Sequence, residues 1–370
     1  MAKIKIMHMA DFHIGLDISF LGQAAKYRRS EVLEGFVKAC RLANDNSVDI
    51  ILIAGDFIES SSINQAYIDR IKTTLSEVKA YVFIVAGNHD YISINSPYMD
   101  EDWPKNVHIF KKSQIEKFNI DKLNTAVYGA SFTSTYQRES FLDSDIDVDD
   151  NKFNIMVLHG DNAEDSIYNP LTRKNILKSN MRYIALGHIH KKPKDTKIGE
   201  TYVAYAGSPL GQSFNELGQR NVMMVEINEY DTVLSELKIP ARAFYRENID
   251  VSVLQSANEV ATEILNTLKK YDNYEENYYQ IILDGVVDEN IHLDASVIEQ
   301  LLTDLRYVKV IDKTRIKLNF DSIRTEQSLK GIFVDRMLDK IDLARDDEVK
   351  VKVLERAFEL GLRSLEGNKL

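Results

Sequence analysis

The sequence predicts an α/β fold in its first 240 residues, followed by a smaller α+β module and a helical C-terminal segment. Short β-rich apolar runs alternate with stretches whose apolar residues recur at helical spacing, a pattern typical of helices layered on a sheet. This alternation changes after Pro240. We therefore expect three parts, at residues 1–240, 241–318 and 319–370.

The elements of the first part follow from the spacing of its apolar residues. Two predicted helices carry apolar residues three or four apart, namely Val32, Phe36, Val37 and Cys40, then Ile68, Ile71, Leu75 and Val78. Short apolar runs predict strands at Ile4 to Met9, Asp49 to Ala54, Tyr81 to Ala86, Ala126 to Tyr128, Ile155 to Leu158, Tyr183 to Leu186, Tyr202 to Tyr205 and Asn221 to Ile227. Cys40, the one cysteine, is expected to be a buried core thiol.

The later parts read differently. Helical spacing predicts helices at Ala257 to Leu268 and Ala295 to Leu305, and strands are predicted at Tyr278 to Val287 and Val308 to Ile316. Two amphipathic segments follow Asn319, one around Leu329 to Met337 and one around Val351 to Leu362.

Composition limits the function classes. With 44% hydrophobic and 28% charged residues, the 370-residue chain has the composition of a folded protein. The net charge of -11 argues against a protein that coats nucleic acid by bulk electrostatics, although a local groove or bound metal ions could still hold phosphates. Met1 to Met9 lacks the apolar stretch of a signal peptide, and no later run reaches membrane-spanning length, so we expect a cytoplasmic protein.

Polar residues follow five of the predicted strands directly. The strand ends carry Asp11-Phe12-His13, Gly55-Asp56, Gly87-Asn88-His89-Asp90, His159-Gly160 and Gly187-His188-Ile189-His190. In open α/β sheets the carboxyl ends of the strands meet at one crevice, where ligands bind. Five of the eight histidines fall at these ends. Because buried imidazoles and carboxylates without a partner are costly, this concentration indicates a metal centre between them.

The donor set narrows the kind of centre. It contains nitrogen and oxygen but no thiolate, which suits Mn, Fe or Zn. The candidate ligands are too many for one ion: Asp11, His13, Asp56, Asn88, His159, His188 and His190. Two ions about 3.5–4 Å apart that share one carboxylate accommodate the set, and Asp56, alone at its strand end, is the natural bridge. Residues two apart in an extended segment point to the same side, so His188 and His190 can both reach the crevice, and we expect them to hold different ions.

The ordered motifs resemble those of the calcineurin-like metallophosphoesterases. They span most of the first 190 residues. The start Asp11-Phe12-His13-Ile14-Gly15, the segment Ala206-Gly207-Ser208-Pro209 and the small C-terminal module are similar to the DNA-repair exonuclease branch, which includes SbcD/YhaO-like nuclease subunits. The resemblance implies a sandwich of two β-sheets flanked by helices, formed by residues 1–240, with residues 241–318 as a capping domain and 319–370 as a docking segment.

The resemblance also implies a role for each site residue. The first metal would be held by Asp11, His13, Asp56 and His190. The second would be held by Asp56, Asn88, His159 and His188. His89 would contact the scissile phosphate and protonate the departing oxygen, and Asp90 would orient it. One departure stands out: where this branch usually has Asp or His three residues after the bridging Asp, this chain has Glu59.

The implied activity is Mn-dependent hydrolysis of DNA, as an exonuclease or endonuclease in DNA repair, with an SMC-like ATPase partner of the SbcC/YhaN kind. The alternatives are a phosphodiesterase of small nucleotides, which the acidic charge favours, and a noncatalytic scaffold, which the complete ligand set opposes. The sequence leaves open whether the chain forms a homodimer. Among the basic residues that could contact phosphate are Arg28, Arg29, Lys191 and Lys192, for which a solvated surface role is the default expectation.

Overall fold

The computed structural model describes residues 3–191, 193, 196–288, 291, 293–317 and 323–365. Its helices are α1 (Ala25–Asp45), α2 (Gln65–Ser76), α3 (Arg173–Lys178), α4 (Ala257–Leu268), α5 (Ala295–Leu301), α6 (Leu329–Leu343) and α7 (Glu348–Leu365). Its strands are β1 (Lys3–Met9), β2 (Ile50–Ala54), β3 (Tyr81–Val85), β4 (Val107–Ile109), β5 (Glu116–Ile120), β6 (Thr125–Gly129), β7 (Phe153–His159), β8 (Tyr183–Gly187), β9 (Thr196–Ile198), β10 (Thr201–Tyr205), β11 (Asn221–Asn228), β12 (Thr232–Lys238), β13 (Phe244–Asp250), β14 (Tyr278–Asp284), β15 (Val286–Asp288), β16 (Tyr307–Asp312) and β17 (Arg315–Lys317).

Two six-stranded sheets form the first part of the chain. Their orders are β12-β11-β1-β2-β3-β4 and β5-β6-β7-β8-β10-β9. Strands β1 to β4 are parallel to one another, as are β6, β7, β8 and β10, so their carboxyl ends lie on a common edge of each sheet. The α/β sandwich of two sheets flanked by helices is thereby confirmed.

Alternating side chains fill the layers on the two faces of these sheets. In β2, Ile50 and Leu52 pack between the sheets with Val127 and Ile155 of the second sheet. Ile51 and Ile53 point the other way and pack in the layer that contains residues of α1 and α2. Because both faces are covered, the central strands are apolar throughout, and this is why the sequence predicted them so readily.

The sequence missed or misplaced several elements. Strands β4, β5, β9, β12 and β13 were not predicted, and most of them are short or half-exposed. β10 and β11 were expected as neighbours, but β10 pairs with β8 and β11 returns to pair with β1 in the other sheet. The predicted strand at 278–287 is divided at Gly285, whose φ is +114°.

The described chain divides into two compact units. The first comprises residues up to 246 with 272–280 and 304–308, and the second comprises 247–271, 281–303 and the residues from 309 onward. The second unit contains helix α4 over the predicted range 257–268 and the helical pair α6 and α7. The expected boundary between 318 and 319 lies outside the described residues. Within the part of the chain that is described, no helix is both long and apolar enough to cross a membrane.

Candidate metal centre

The polar residues that follow the strands meet at the carboxyl edge of the two sheets. His159 ends β7 and is paired in register with Gly187 at the end of β8. The turns after β1 and β2 are joined by backbone hydrogen bonds, from Asp11 N to Gly55 O at 3.1 Å and from His13 N to Asp56 O at 2.9 Å. The predicted convergence of these strand ends is what the fold produces.

The backbone at this edge is strained. Four non-glycine site residues have positive φ: Asp11 at 55°, His13 at 45°, Asp56 at 47° and His188 at 103°. Such conformations are sparsely populated, and they persist only when surrounding contacts enforce them. Here they turn carboxylates and imidazoles inward at the point where each strand ends.

Two glycines make room for the side chains. A Cβ on Gly87 would lie 2.3 Å from Asp56 Oδ1, and a Cβ on Gly187 would lie 2.0 Å from the Ala54 carbonyl oxygen. Both distances are far below van der Waals contact, so any side chain would displace either a predicted ligand or the packing between strands. The glycines noted in the sequence therefore serve close approach.

The first cluster of ligand atoms comprises Asp11, His13 and His190, whose donors lie within 4.8 Å of one another. The Nε2 atoms of His13 and His190 face each other at 3.1 Å. Nδ1 of His190 donates to Glu216 Oε1 at 2.6 Å, so its Nε2 lone pair points into the cluster. Two imidazole lone pairs directed at the same point, beside a buried carboxylate, suit a divalent cation.

The second cluster comprises Asp56, His159 and His188, again within 4.8 Å. Nδ1 of His159 donates to the Ala54 carbonyl oxygen at 2.9 Å, which directs Nε2 toward the cluster. Asn88 Oδ1 lies 3.1 Å from that Nε2, as expected for a fourth donor. This is the tautomer arrangement in which a backbone acceptor orients a ligating histidine.

Asp56 lies between the clusters. Its Oδ2 atom is 3.6 Å from Nε2 of His13 and 3.4 Å from Nε2 of His159. Its Oδ1 atom accepts the backbone N–H of His89 at 2.9 Å. One carboxylate oxygen is thus in reach of both clusters, which is the geometry that the sequence predicted for a bridging ligand.

The electrostatics of the clusters also fit cations. Burial raises the pKa of the Asp11 carboxyl, because its charge is removed from water. Burial lowers the pKa of His188 to about 4, with His159 adding to the shift, so His188 is neutral and its lone pair is free. Burial alone would lower the pKa of His159, but the Asp56 carboxylate raises it to about 9. A cation between these two groups would replace that proton, as metal binding commonly does.

His89 is held by Glu59 rather than by Asp90. Nδ1 of His89 lies 2.9 Å from Glu59 Oε2, and this hydrogen bond raises the pKa of His89. Burial alone would raise the pKa of Glu59, but the imidazoles of His13 and His89 lower it to about 2. The expectation that Asp90 orients His89 is wrong in this geometry. Glu59, which departs from the usual pattern of the branch, occupies that role.

Asp90 instead organises the loops beneath the site. It accepts hydrogen bonds from the backbone N–H groups of Asp56, Phe57, Ile58 and Gly87, at 2.6 to 3.3 Å, and from the hydroxyl of Tyr98 at 2.6 Å. Its carboxylate is fully buried. Sequence proximity to His89 suggested a direct contact, but the fully buried Asp90 carboxylate is taken up by five other donors.

The segment after β10 contributes groups that sequence reasoning missed. Glu216 holds His190 and accepts from Ser208 Oγ at 3.1 Å and Gln212 N at 2.8 Å. Gln212 Nε2 donates to the carbonyl oxygens of Asp11 and Phe12, each at 3.2 Å. Arg220 donates to the His190 carbonyl oxygen at 2.8 Å. Ala206 to Pro209 marked this region in the sequence, but nothing there pointed to Glu216.

The basic residues have separate fates. Arg28 is fully buried, where it contacts Glu31 and the carbonyl oxygens of Gly211 and Arg242, so the surface role expected for it is wrong. Arg29 pairs with Asp17 at the surface. Lys191 lines a cavity of about 400 Å³ with Ser208 and Arg220, whereas Lys192 lies outside the described residues.

Fold and site together define a class: a hydrolase centre built to hold two cations at the carboxyl edge of a two-sheet α/β sandwich. The chain belongs to the calcineurin-like phosphoesterase family, whose profile matches residues 4–192. Members of this family are metal-dependent hydrolases with a dinuclear centre.

Several curated proteins are similar to the chain at low identity. The uncharacterized metallophosphoesterase YhaO of Bacillus subtilis is 25% identical over 62% of this chain, a match that spans 59% of YhaO. The SbcD subunit of the nuclease SbcCD of Staphylococcus epidermidis is 25% identical over 65% of this chain and 70% of that protein. The DNA double-strand break repair protein Mre11 of Thermoplasma acidophilum is 23% identical over 78% of this chain and 80% of that protein.

Solved structures include more distant relatives. A dimetal phosphatase from Danio rerio aligns with 12% identity and a TM-score of 0.45, over 64% of this chain and 98% of that one. The calcineurin-like phosphoesterase YfkN of Bacillus subtilis aligns with 10% identity and a TM-score of 0.40, over 64% of this chain and 91% of that one.

Proposed function

We propose that this protein is a Mn-dependent nuclease that hydrolyses phosphodiester bonds of DNA during repair, in the cytoplasm. The observation that carries the proposal is the pair of ligand clusters with Asp56 Oδ2 between them and the His89 imidazole beside them. Such pairs clamp the attacking and departing oxygens of a phosphoryl transfer. The named nuclease and repair relatives support DNA as the substrate.

The ligands are assigned from the geometry. The first ion would be held by Asp11, His13, Asp56 and His190, and the second by Asp56, Asn88, His159 and His188. Two divalent cations supply activation of water and neutralisation of phosphate charge. Mn is the proposed metal, with Fe and Zn as the alternatives for this nitrogen and oxygen donor set.

His89 acts as the general acid. Its Nδ1 is taken by Glu59, so the opposite nitrogen, Nε2, is the atom that can face a substrate. The side chain is 44% exposed, unlike the fully buried ligands around it, and is therefore accessible. The hydrogen bond to Glu59 favours the protonated imidazole, which donates a proton to the departing oxygen. Glu59 keeps the ring oriented through that transfer.

A partner is proposed for the C-terminal segment at residues 319–370. Helices α6 and α7 pack on each other through Val334, Met337, Phe358 and Leu362. Other apolar side chains on them are exposed, among them Leu343 at 89% and Val349 at 75%. We assign this surface to an SMC-like ATPase of the SbcC/YhaN kind, because a named relative is one subunit of a two-part nuclease. Removing residues 319–370 should abolish co-purification with such an ATPase and leave hydrolysis of a small phosphodiester intact.

The deciding experiment compares substrates under one set of conditions. Linear duplex, single-stranded and hairpin DNA are incubated with the full chain and Mn²⁺, beside a cyclic nucleotide. Degradation of DNA with little hydrolysis of the cyclic nucleotide supports the proposal. The reverse outcome supports the alternative, a phosphodiesterase of small nucleotides, which the net charge of -11 favours. Activity lost in His89→Ala, with metal content equal to that of the parent, eliminates a noncatalytic scaffold.

A further inference from the structure

Two tyrosine rings extend outward from the second ligand cluster. The Tyr168 ring lies 4.7 Å from the His188 imidazole, centroid to centroid, with the ring planes 37° apart. The Tyr136 ring lies 5.8 Å from the Tyr168 ring at 41°. We call Tyr136 and Tyr168 the aromatic row. It begins in contact with a predicted metal ligand and ends at the surface.

The row is fixed to the metal centre by its backbone. The segments that carry the two rings are joined by hydrogen bonds from Gln137 N to Ile167 O at 3.0 Å and from Asn169 N to Gln137 O at 2.6 Å. The buried Asn169 side chain donates to the His159 carbonyl oxygen at 2.8 Å. The rings are therefore held relative to both His159 and His188, as a binding surface beside a reactive centre requires.

The outer ring is available to a ligand. Tyr136 is 48% exposed, and the Arg138 guanidinium lies 5.9 Å from its centroid. The exposed Glu139 and Glu164 flank the two rings in the chain, so the surface is not one that gathers phosphates by positive charge. Recognition here would come from the ring faces. Nucleobases stack on such faces without needing a particular base sequence.

We propose that the aromatic row binds an unpaired nucleobase of the DNA strand whose phosphodiester bond lies at the metal centre. This inference rests on the proposed nuclease function. Bases inside a duplex are already paired and stacked, and only an unpaired base offers both of its faces to a protein ring. The preferred substrate class is therefore single-stranded DNA or a frayed end.

The test uses two oligonucleotides of equal length, one of thymidine and one in which every base is replaced by an abasic analogue. Both carry the same phosphates, so only the bases differ. Tyr136→Ala in the full chain should lower kcat/KM on the thymidine oligonucleotide about tenfold and leave the abasic one unchanged. Tyr136→Phe retains the ring and should match the parent. Tyr230→Ala, at a tyrosine that is 75% exposed elsewhere on the surface, is the matched control.

Salt provides a second readout. A stacking loss should keep the same fold-change as ionic strength rises, whereas a lost phosphate contact shrinks with salt. Equal losses on both oligonucleotides, or no loss on either, would overturn the role of the row while leaving the nuclease function standing. If the parent hydrolyses a small phosphodiester but neither the oligonucleotides nor any other DNA, the proposed substrate fails and this inference fails with it.

Discussion

Glu216 Oε1 lies 2.6 Å from Nδ1 of His190, although the two residues are 26 positions apart in the chain. The carboxylate also accepts from Ser208 and the backbone of Gln212, which fixes its own orientation. Such an acceptor sets the tautomer and ring angle of a ligating histidine and increases its basicity.

Glu216→Gln should therefore weaken binding of one of two Mn²⁺ ions by about 10- to 100-fold, because the charge that orients His190 is lost. Isothermal titration calorimetry of the full chain with Mn²⁺ measures the change. Glu229→Gln, at an exposed position, is the control and should bind both ions as the parent does. Unchanged affinity in the Glu216 variant would contradict the positioning role.

The shared carboxylate makes a prediction about stoichiometry. Since Asp56 Oδ2 is within reach of both clusters, Asp56→Asn should reduce the affinity for both ions. His190→Ala removes a donor from the first cluster alone, so it should lose one ion and retain the other. Metal content per chain after dialysis distinguishes the two variants. Equal losses in both would show that Asp56 does not bridge.

The pairing of His89 with Glu59 predicts coupled kinetic effects. His89→Ala should lower kcat by about 10²- to 10⁴-fold without changing metal content, as expected for loss of a general acid. Glu59→Gln should cause a smaller loss, on the order of tenfold, because the imidazole remains but its orientation and protonation weaken.

A double-mutant cycle decides whether the two act together. If Glu59 works through His89, the double variant should be no slower than His89→Ala alone, since nothing remains to orient. Additive losses would mean that Glu59 acts on the reaction by a separate route. Asp90 provides a contrast: Asp90→Asn should lower thermal stability, because the buried carboxylate accepts several backbone N–H groups.

The close approach at Gly187 predicts a stability effect. A Cβ there would lie 2.0 Å from the Ala54 carbonyl oxygen, which belongs to the other sheet and cannot move aside cheaply. Gly187→Ala should lower the free energy of unfolding by about 1–3 kcal/mol through overpacking. Gly218→Ala meets no atom within 4 Å and bears only the strain of φ +82°, so its cost should be smaller, about 1 kcal/mol. Denaturant unfolding of both variants checks the order, and a larger loss for Gly218→Ala would contradict it.

Sequence alone determined the α/β class, the central strands and the identity of the residues at their ends. These are local properties: apolar runs buried on both faces read clearly, and parallel strands bring their carboxyl ends to one edge whatever the loops do. The candidate ligands, which all follow such strands, are therefore evident from the chain itself: Asp11, His13, Asp56, Asn88, His159, His188 and His190.

Tertiary structure decided which groups support those residues. Glu216 reaches His190 only because β10 and β11 lie in different sheets and the segment between them crosses the site. Glu59 rather than Asp90 contacts His89, because the Asp90 carboxylate is turned inward to backbone donors. The pairing of Tyr136 with Tyr168 joins loops 32 residues apart, Tyr136 to Tyr168. Contacts of this kind depend on where distant segments pack, which no local pattern of residues encodes.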